Sequence, residues 1–422
     1  MLIDWIEGRV SLIVQKFGGA SVADIEKIRR CAVRARDAHS AGNAVVVVVS
    51  AMGKTTDRLI ELARLANPTL PKRELDMLLS TGEQASAALM SMTLQSMGLT
   101  AVAFTGQQVG VSTDAAHTRA RISSIDTNRL RRHLDQDKVV VVAGFQGVTQ
   151  AGDITTLGRG GSDLTAVALA AALGAAVCEI YTDVDGVYTA DTRYVPNARK
   201  LDRLSYDQML ELASLGACVL HPRAVLCGKN FNIPIHVRHS HKPDEGATIV
   251  PETPEMEQIV VSGAALKSDV ARVTLAGVPN TPRTAQVIFD AIAEADVFVD
   301  DIIQNELDTE TITIAFTIDP AELRVAQEAA KRLLDELGGG GTVRVEKELA
   351  KVSVVGLGMR THTGVALTMF RALGEAEIAI RNITTSEINI SCIVDRDAGP
   401  RALRIVHDAF DLASEPAEPA AT

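Results

Sequence analysis

The sequence predicts an α/β protein, in which a mostly parallel sheet sandwiched by helices is followed by two smaller α+β units. Three observations carry that reading. Short β-branched runs alternate with helical stretches up to about residue 250, several of those runs are apolar on both faces, and the remainder contains one pattern twice. At about 150 residues per domain, the 422 residues make two to four domains. Hydrophobic residues at 46% against 23% charged form an ordinary globular balance. The net charge of −11 repels phosphates, and aromatics at 3% leave few base-stacking platforms, so nucleic acid and anionic membranes are disfavoured as partners.

Leu12-Ile13-Val14 is the first strand. The helix expected from Val22 to Ser40 is stopped by Gly42, and Ser21 with Asp24 reads as its N-cap pair. Ala44 to Val49, an alanine and five valines, has no polar face and suits a central parallel strand. Val139 to Val142 and Val177 to Tyr181 read the same way, with helices expected at Glu83 to Gln95 and Asp163 to Leu173.

The Pro- and acid-rich stretch from Pro251 to Gln258 reads as a junction. Beyond it Arg272-Val-Thr-Leu-Ala-Gly277 is echoed by Lys351-Val-Ser-Val-Val-Gly356. Helical Thr284 to Ala295 is echoed by Gly364 to Ala376, and Thr311 to Ile318 by Ile388 to Val394. Each copy then has a further helix, Ala321 to Leu337 or Pro400 to Phe410, which makes two βαββαβ-type units of about 70 residues. Gly338 to Gly341 reads as a flexible turn, and the Pro/Ala/Glu-rich tail from Ser414 as disordered.

Two Gly-rich turns open helices. Gln15-Lys-Phe-Gly-Gly-Ala-Ser21 combines a cation with glycines that let main-chain amides approach an anion at a helix N-terminus. Thr156-Leu-Gly-Arg-Gly-Gly-Ser-Asp163 repeats the arrangement. Ser162 there could simply cap the helix, but Arg159 has no structural task in such a loop and its planar fork suits a carboxylate or phosphate. Two cationic glycine loops point to phosphoryl transfer.

Other motifs read more plainly. Gly53-Lys-Thr55 looks like the end of a P-loop, but Val48 occupies the place of the leading glycine. His236 points opposite to His239 and His241 on a strand, so a solvated strand end is the simpler reading than a metal site. Five cysteines without a CxxC spacing read as buried, reduced, cytosolic thiols. No apolar run nears the roughly 20 residues of a membrane span. Ile6-Glu7-Gly8-Arg9 resembles an engineered protease site, so residues 1–10 are set aside.

Lys16-Phe-Gly-Gly, Val49-Ser-Ala-Met52 with Thr56, Ser80-Thr-Gly-Glu83, Gly158-Arg-Gly-Gly-Ser-Asp163 and Thr182-Asp-Val-Asp-Gly-Val-Tyr188 stand in the order of the aspartate kinases. Residues 11 to 413 resemble that family, in its bacterial lysine- and threonine-sensitive type. The resemblance implies an amino-acid kinase fold at 11–250, a linker at 251–265 and ACT domains at 266–348 and 349–413. It implies transfer of the ATP γ-phosphoryl group to the β-carboxylate of L-aspartate, a first step toward lysine, threonine and methionine. Magnesium would ride on the ATP phosphates, with no metal ligands from the protein. A cytoplasmic location is implied, as is a homo-oligomer or α2β2 assembly through the ACT domains.

The resemblance also implies roles. Lys16 would neutralise the transferring group, with Phe17, Gly18, Gly19 and Ser50 beside the nucleotide phosphates. Glu83 would hold the substrate ammonium and Arg159 its α-carboxylate, with Thr56, Gly160, Gly161 and Ser162 completing the pocket. Asp163 would orient Lys16, and Thr182, Asp183, Tyr188 and Arg193 would line the adenosine and phosphate side. A lysine or threonine effector would meet Asn280, Arg283 and Gln304 in the first ACT copy, and Val365, Ala366, Ile380 and Ser386 in the second.

The chain departs from the family pattern at four kinds of position. Ala20 replaces a small hydroxyl residue, and Cys218 replaces a lysine that contacts the nucleotide, which implies weaker ATP binding. Asn280 and Arg283 stand where relatives often carry Asp and Gly, and Ala366 where a Thr is usual, which implies weaker or redirected feedback. A glutamate or acetylglutamate kinase is the nearest alternative, although Glu83 suits a free ammonium rather than an acylated amine. A non-catalytic ACT sensing subunit is the other.

Overall fold

A computed structural model describes residues 11–216, 219–306, 309–337, 340–360 and 362–413. Residues 1–10, Cys218, the first two residues of the Gly338 to Gly341 turn and the tail from 414 lie outside them. The described chain divides into two compact units, one of residues 11–187, 200–214 and 219–256, the other of 188–199, 215–216 and from 257 onward. The reading that kept all of 11–250 together therefore differs at 188–199, where Ala190 and Val195 bury against the second unit's core.

The first unit is built on an eight-stranded sheet. Its strand order is Arg203–Ser205, Ala247–Val250, Ile235–His239, Val177–Thr182, Leu12–Phe17, Ala44–Val49, Val139–Ala143 and Ala101–Phe104. Neighbours run parallel except Ile235–His239 against Ala247–Val250. Alternation splits the valines: Val45, Val47, Val49, Val139 and Val141 pack on helices Ile25–Ser40 and Lys72–Ser96. The other face is covered by Gly161–Leu173, a helix with all but two of its thirteen residues buried. Asp24 alone caps Ile25–Ser40, accepting the Lys27 N–H at 2.8 Å, while Ser21 is buried with its hydroxyl against that of Ser240. The helix expected at Glu83 begins at Lys72, after Pro71. A separate four-stranded sheet (Val111–Thr113, Ile122–Ile125, Gln146–Val148, Ile154–Thr156) was not foreseen, because its strands are only three or four residues long.

The second unit is one antiparallel six-stranded sheet in the order Val299–Glu306, Thr311–Ile318, Gly263–Pro279, Thr342–Val355, Asn389–Asp395, Asn382–Thr385. The repeat is visible in the helices Thr284–Glu294 and Leu323–Glu336 of one copy, and Val365–Glu375 and Gly399–Ala409 of the other. The two middle strands are shared between the copies. Residues 272–276 pair with 342–346 in the first copy, whereas 263–267 pair with 351–355 in the second. Ala264 and Leu266 accordingly lie in one core with Val352, Met369, Cys392 and Leu403, while Val273, Ile288, Phe316 and Leu333 form the other. The end of the stretch 251–265 is thus a strand of the second copy, and the expected boundary at 348–349 falls inside a continuous strand.

Candidate active site

Elementary strand geometry sets out the site. In Leu12–Phe17 the side chains of Gln15 and Phe17 enter one face of the sheet and that of Lys16 the other. Lys16 is 8% exposed, at the carboxyl end of its strand and beside the first turn of Gly161–Leu173. There its Nζ meets Asp163 Oδ1 at 2.5 Å. The helix N-terminus favours the Asp163 charge independently of the lysine. Open α/β sheets place ligands beyond the carboxyl ends of adjacent strands, where Lys16, Ser50 and Thr182 all fall.

The glycine turn is tight. Its Gly18 N–H is taken by Tyr181 O at 3.2 Å, and the Gly53 N–H donates to Gly19 O at 3.0 Å. A Cβ on Gly19 would stand 2.9 Å from Ala51 O, so only glycine allows this approach of the two loops. The Gly18 N–H is therefore engaged within the fold. Phe17 needs a correction: its ring is fully buried and stacked on Tyr181 at 4.9 Å between centroids, so only its main chain reaches the loop.

Glu83 is 3% exposed. Its Oε1 accepts the Ala51 N–H at 3.0 Å, and its Oε2 is buried with no partner. Burial pushes the carboxyl up to about 7, with only main-chain hydrogen bonds opposing the shift. Thr56 lies half-buried in the first turn of Thr55–Ala66, and Ser50 is half-buried with its N–H on Phe17 O at 3.1 Å.

Arg159 is exposed, and its side chain makes no ion pair among the described residues. The loop that carries it is held from several sides. Gly160 has a left-handed backbone (φ +66°), and a Cβ there would collide with the His221 ring. Gly161 lies against Phe145, itself left-handed at φ +70° with its N–H on Thr165 Oγ1 at 3.0 Å. Arg223 donates to Leu157 O at 2.5 Å and Ala120 O at 2.8 Å. Ser162 is buried inside the helix rather than capping it, because Gly160 takes the cap position.

Thr182 Oγ1 donates to Asp183 Oδ1 at 3.0 Å, while Thr182 O receives both the N–H and the hydroxyl of Ser240. Tyr188 and Arg193 belong to the second unit. Arg193 is moreover bound at Nε and Nη2 to the Asp191 carboxylate (2.5 Å at its shortest), which holds Asp191 below the usual carboxylate range.

His239 Nδ1 accepts main-chain N–H groups of His241 and Lys242, while His236 bonds Glu245 O on its own strand's far side. Of the effector residues, Asn280, Arg283 and Gln304 are exposed around one loop and one edge strand. Val365 is in the core, and Ser386 Oγ receives the Ile388 and Asn389 N–H groups in a hairpin turn, so both have structural tasks that the sequence did not indicate. Ala366 and Ile380 are half-buried against that same core. Among the described residues no helix is long and apolar enough to cross a membrane.

Sequence reasoning missed Asp76, Phe145 and His221. The His221-Pro222 pair was the one available signal, since proline favours the first turn of a helix and His221 caps Pro222–Phe231 by accepting the Arg223 N–H.

The amino acid kinase family model matches residues 11–239, and an ACT domain model matches 352–410. An aspartokinase of Geobacillus stearothermophilus is 50% identical over 409 residues, 97% of this chain and 99% of that relative. A solved structure of E. coli aspartokinase III in complex with aspartate and ADP (R-state) is similar with a TM-score of 0.80 at 27% identity, covering 94% of this chain and 99% of that one. The same enzyme in complex with lysine and aspartate (T-state) matches with a TM-score of 0.73 at 26% identity, over the same shares of the two chains.

Proposed function

The chain belongs to the aspartokinase family and is a phosphotransferase acting on aspartate, and from that membership we propose how its own residues carry the reaction. The acceptor is a β-carboxylate with an ordinary pKa near 4, ionised at neutral pH, so no general base is needed. The barrier is the approach of two anions, and positioning with positive charge lowers it. Lys16 supplies that charge. Asp163 fixes its direction, and the ion pair opens toward the phosphoryl group as the group transfers.

Glu83 receives the substrate ammonium, and Arg159 its α-carboxylate through two parallel bonds. The observation that carries this assignment is the buried, unpartnered Glu83 Oε2, a carboxylate that lacks a cation and gains one with the substrate. ATP lies along the Gly19 amide, Ser50, Thr182 and Asp183. Among the described residues no three carboxylate, His or Cys side chains form a metal-binding group. Magnesium would be carried by the nucleotide phosphates, whose charge it would neutralise. The regulatory reading rests on the ACT pair, with an amino acid of the lysine or threonine class as effector and assembly through the second unit. The test of the substrate assignment is ADP release with aspartate, glutamate, acetylglutamate or no acceptor. Release with aspartate alone supports it, and equal release with acetylglutamate overturns the role of Glu83.

A further inference from the structure

Asp76 has no exposed surface and lies on helix Lys72–Ser96, seven residues before Glu83. At 1.5 Å per residue the two carboxylates are two turns apart, about 10 Å along one helix face. Asp76 uses both oxygens. Oδ1 accepts the Thr156 hydroxyl at 2.5 Å, the Thr118 N–H reaches Oδ1 at 3.1 Å and Oδ2 at 3.0 Å, and His117 Nδ1 lies 2.8 Å from Oδ2. Thr118 is left-handed (φ +71°), a conformation that a β-branched residue adopts only when its surroundings impose it. Its carbonyl oxygen would be 3.1 Å from a Cβ on Gly158, the residue before Arg159. Asp76 therefore grips Thr156 and Thr118, the two chain segments between which the Arg159 loop is seated.

Among the described residues Arg159 has no ion pair to steer it, so its position follows from its main chain. We infer that Asp76 is a positioning residue for substrate selection: through Thr156 and Thr118 it fixes the Arg159 loop at a set distance from Glu83 on the same helix. The helix then acts as a ruler between the ammonium and carboxylate ligands. It sets where the substrate Cα sits, and so which length of amino dicarboxylate brings its distal carboxylate to Lys16. This rests on the assignment of Glu83 and Arg159 to the two ends of the amino acid.

The test is steady-state kinetics of Asp76→Asn with aspartate, glutamate and ATP varied in turn. Asn keeps the size and one acceptor but cannot receive all three donors. The expected result is an aspartate KM raised tenfold or more, an ATP KM within twofold, kcat within about threefold, and a smaller preference for aspartate over glutamate. A purely structural role would lower Tm and active fraction but leave KM and selectivity alone, and that outcome overturns the inference. Should Asp76→Asn fail to fold, Thr156→Val, which keeps shape and removes one donor, must raise aspartate KM severalfold; unchanged KM there overturns the inference equally. Arg159→Lys measured alongside separates the two levels. If it raises ATP KM rather than aspartate KM, the underlying assignment fails. If it raises aspartate KM while Asp76→Asn does not, only the ruler fails.

Discussion

Thr189 Oγ1 and His407 Nε2 lie 3.0 Å apart with both residues fully buried, a hydrogen bond between a segment inside the kinase family match and the last helix of the second repeat. Thr189 also accepts the Arg199 N–H at its hydroxyl and the Ala264 N–H at its carbonyl, so it pins the 188–199 excursion to the regulatory unit. Thr189→Val keeps the shape and leaves His407 without this partner. Stability should fall by about 1–3 kcal/mol. Thermal unfolding checks this; an unchanged Tm counts against it.

Lys16→Ala should remove turnover from a folded protein, since Lys16 ends its strand beside a glycine turn rather than filling the core. The loss expected for a charge placed on the transferring group is on the order of 10² to 10³-fold. The variant also leaves the nine-tenths-buried Asp163 carboxylate unpaired, so circular dichroism and Tm must accompany the rate. Near-normal kcat in a folded variant would refute the role.

Arg159→Lys keeps the charge and loses the fork. Aspartate KM should rise at least tenfold with little change in Tm, because the side chain is exposed and makes no ion pair among the described residues. Titration calorimetry with aspartate should show the same loss directly.

Glu83 gives a pH signature. Its carboxyl is raised to about 7 by burial, so the folded protein holds a proton that the unfolded chain releases near pH 4.5. Folding is then favoured at low pH and weakened as pH rises through the window from about 4.5 to 7, by up to about 3 kcal/mol above it. Glu83→Gln should be more stable than the parent at pH 8 and no more stable at pH 4. For the parent, kcat/KM for aspartate should rise toward pH 8, since the substrate ammonium favours the ionised form. Loss of that rise in Glu83→Gln, with denaturant melts at both pH values, is the check.

Asn280→Asp restores a negative charge to an exposed loop that also carries Arg283. Inhibition by lysine, threonine or both at millimolar level should strengthen severalfold, with uninhibited kcat unchanged. If no amino acid slows either protein, the ACT pair serves assembly only. Coupling, where found, must be reciprocal: an inhibitor that weakens aspartate binding is itself weakened by aspartate.

Much of this was legible because burial and chemistry coincide in the motifs. Five valines with no polar face make a covered central strand, and Lys16 and its paired glycines fall at the carboxyl end of the first strand, where the motif put them. The four-stranded sheet was not legible, since strands of three residues carry too little periodicity. Nor was Asp76, the second acid of Lys-Arg-Glu-Leu-Asp, which looks like a solvated helix face until the chain returns to it at Thr118 and Thr156. The Ser21 cap failed because a hydroxyl close to a helix start is not thereby at its N-cap, and Asp24 had the better geometry. The repeat was found, but not that 263–267 pair with the second copy: strand sharing depends on register, which the sequence of each strand does not reveal.

That sharing sets an order of events during synthesis. Residues 263–267 emerge first of the six-stranded sheet, yet their partners at 351–355 follow about 90 residues later. At translation rates of about 5–20 residues per second the earlier strand waits for several seconds. In that time residues 271–346 can complete the inner copy as a hairpin-like insert that brings the two ends together. The outer copy closes last, although its first strand was made first.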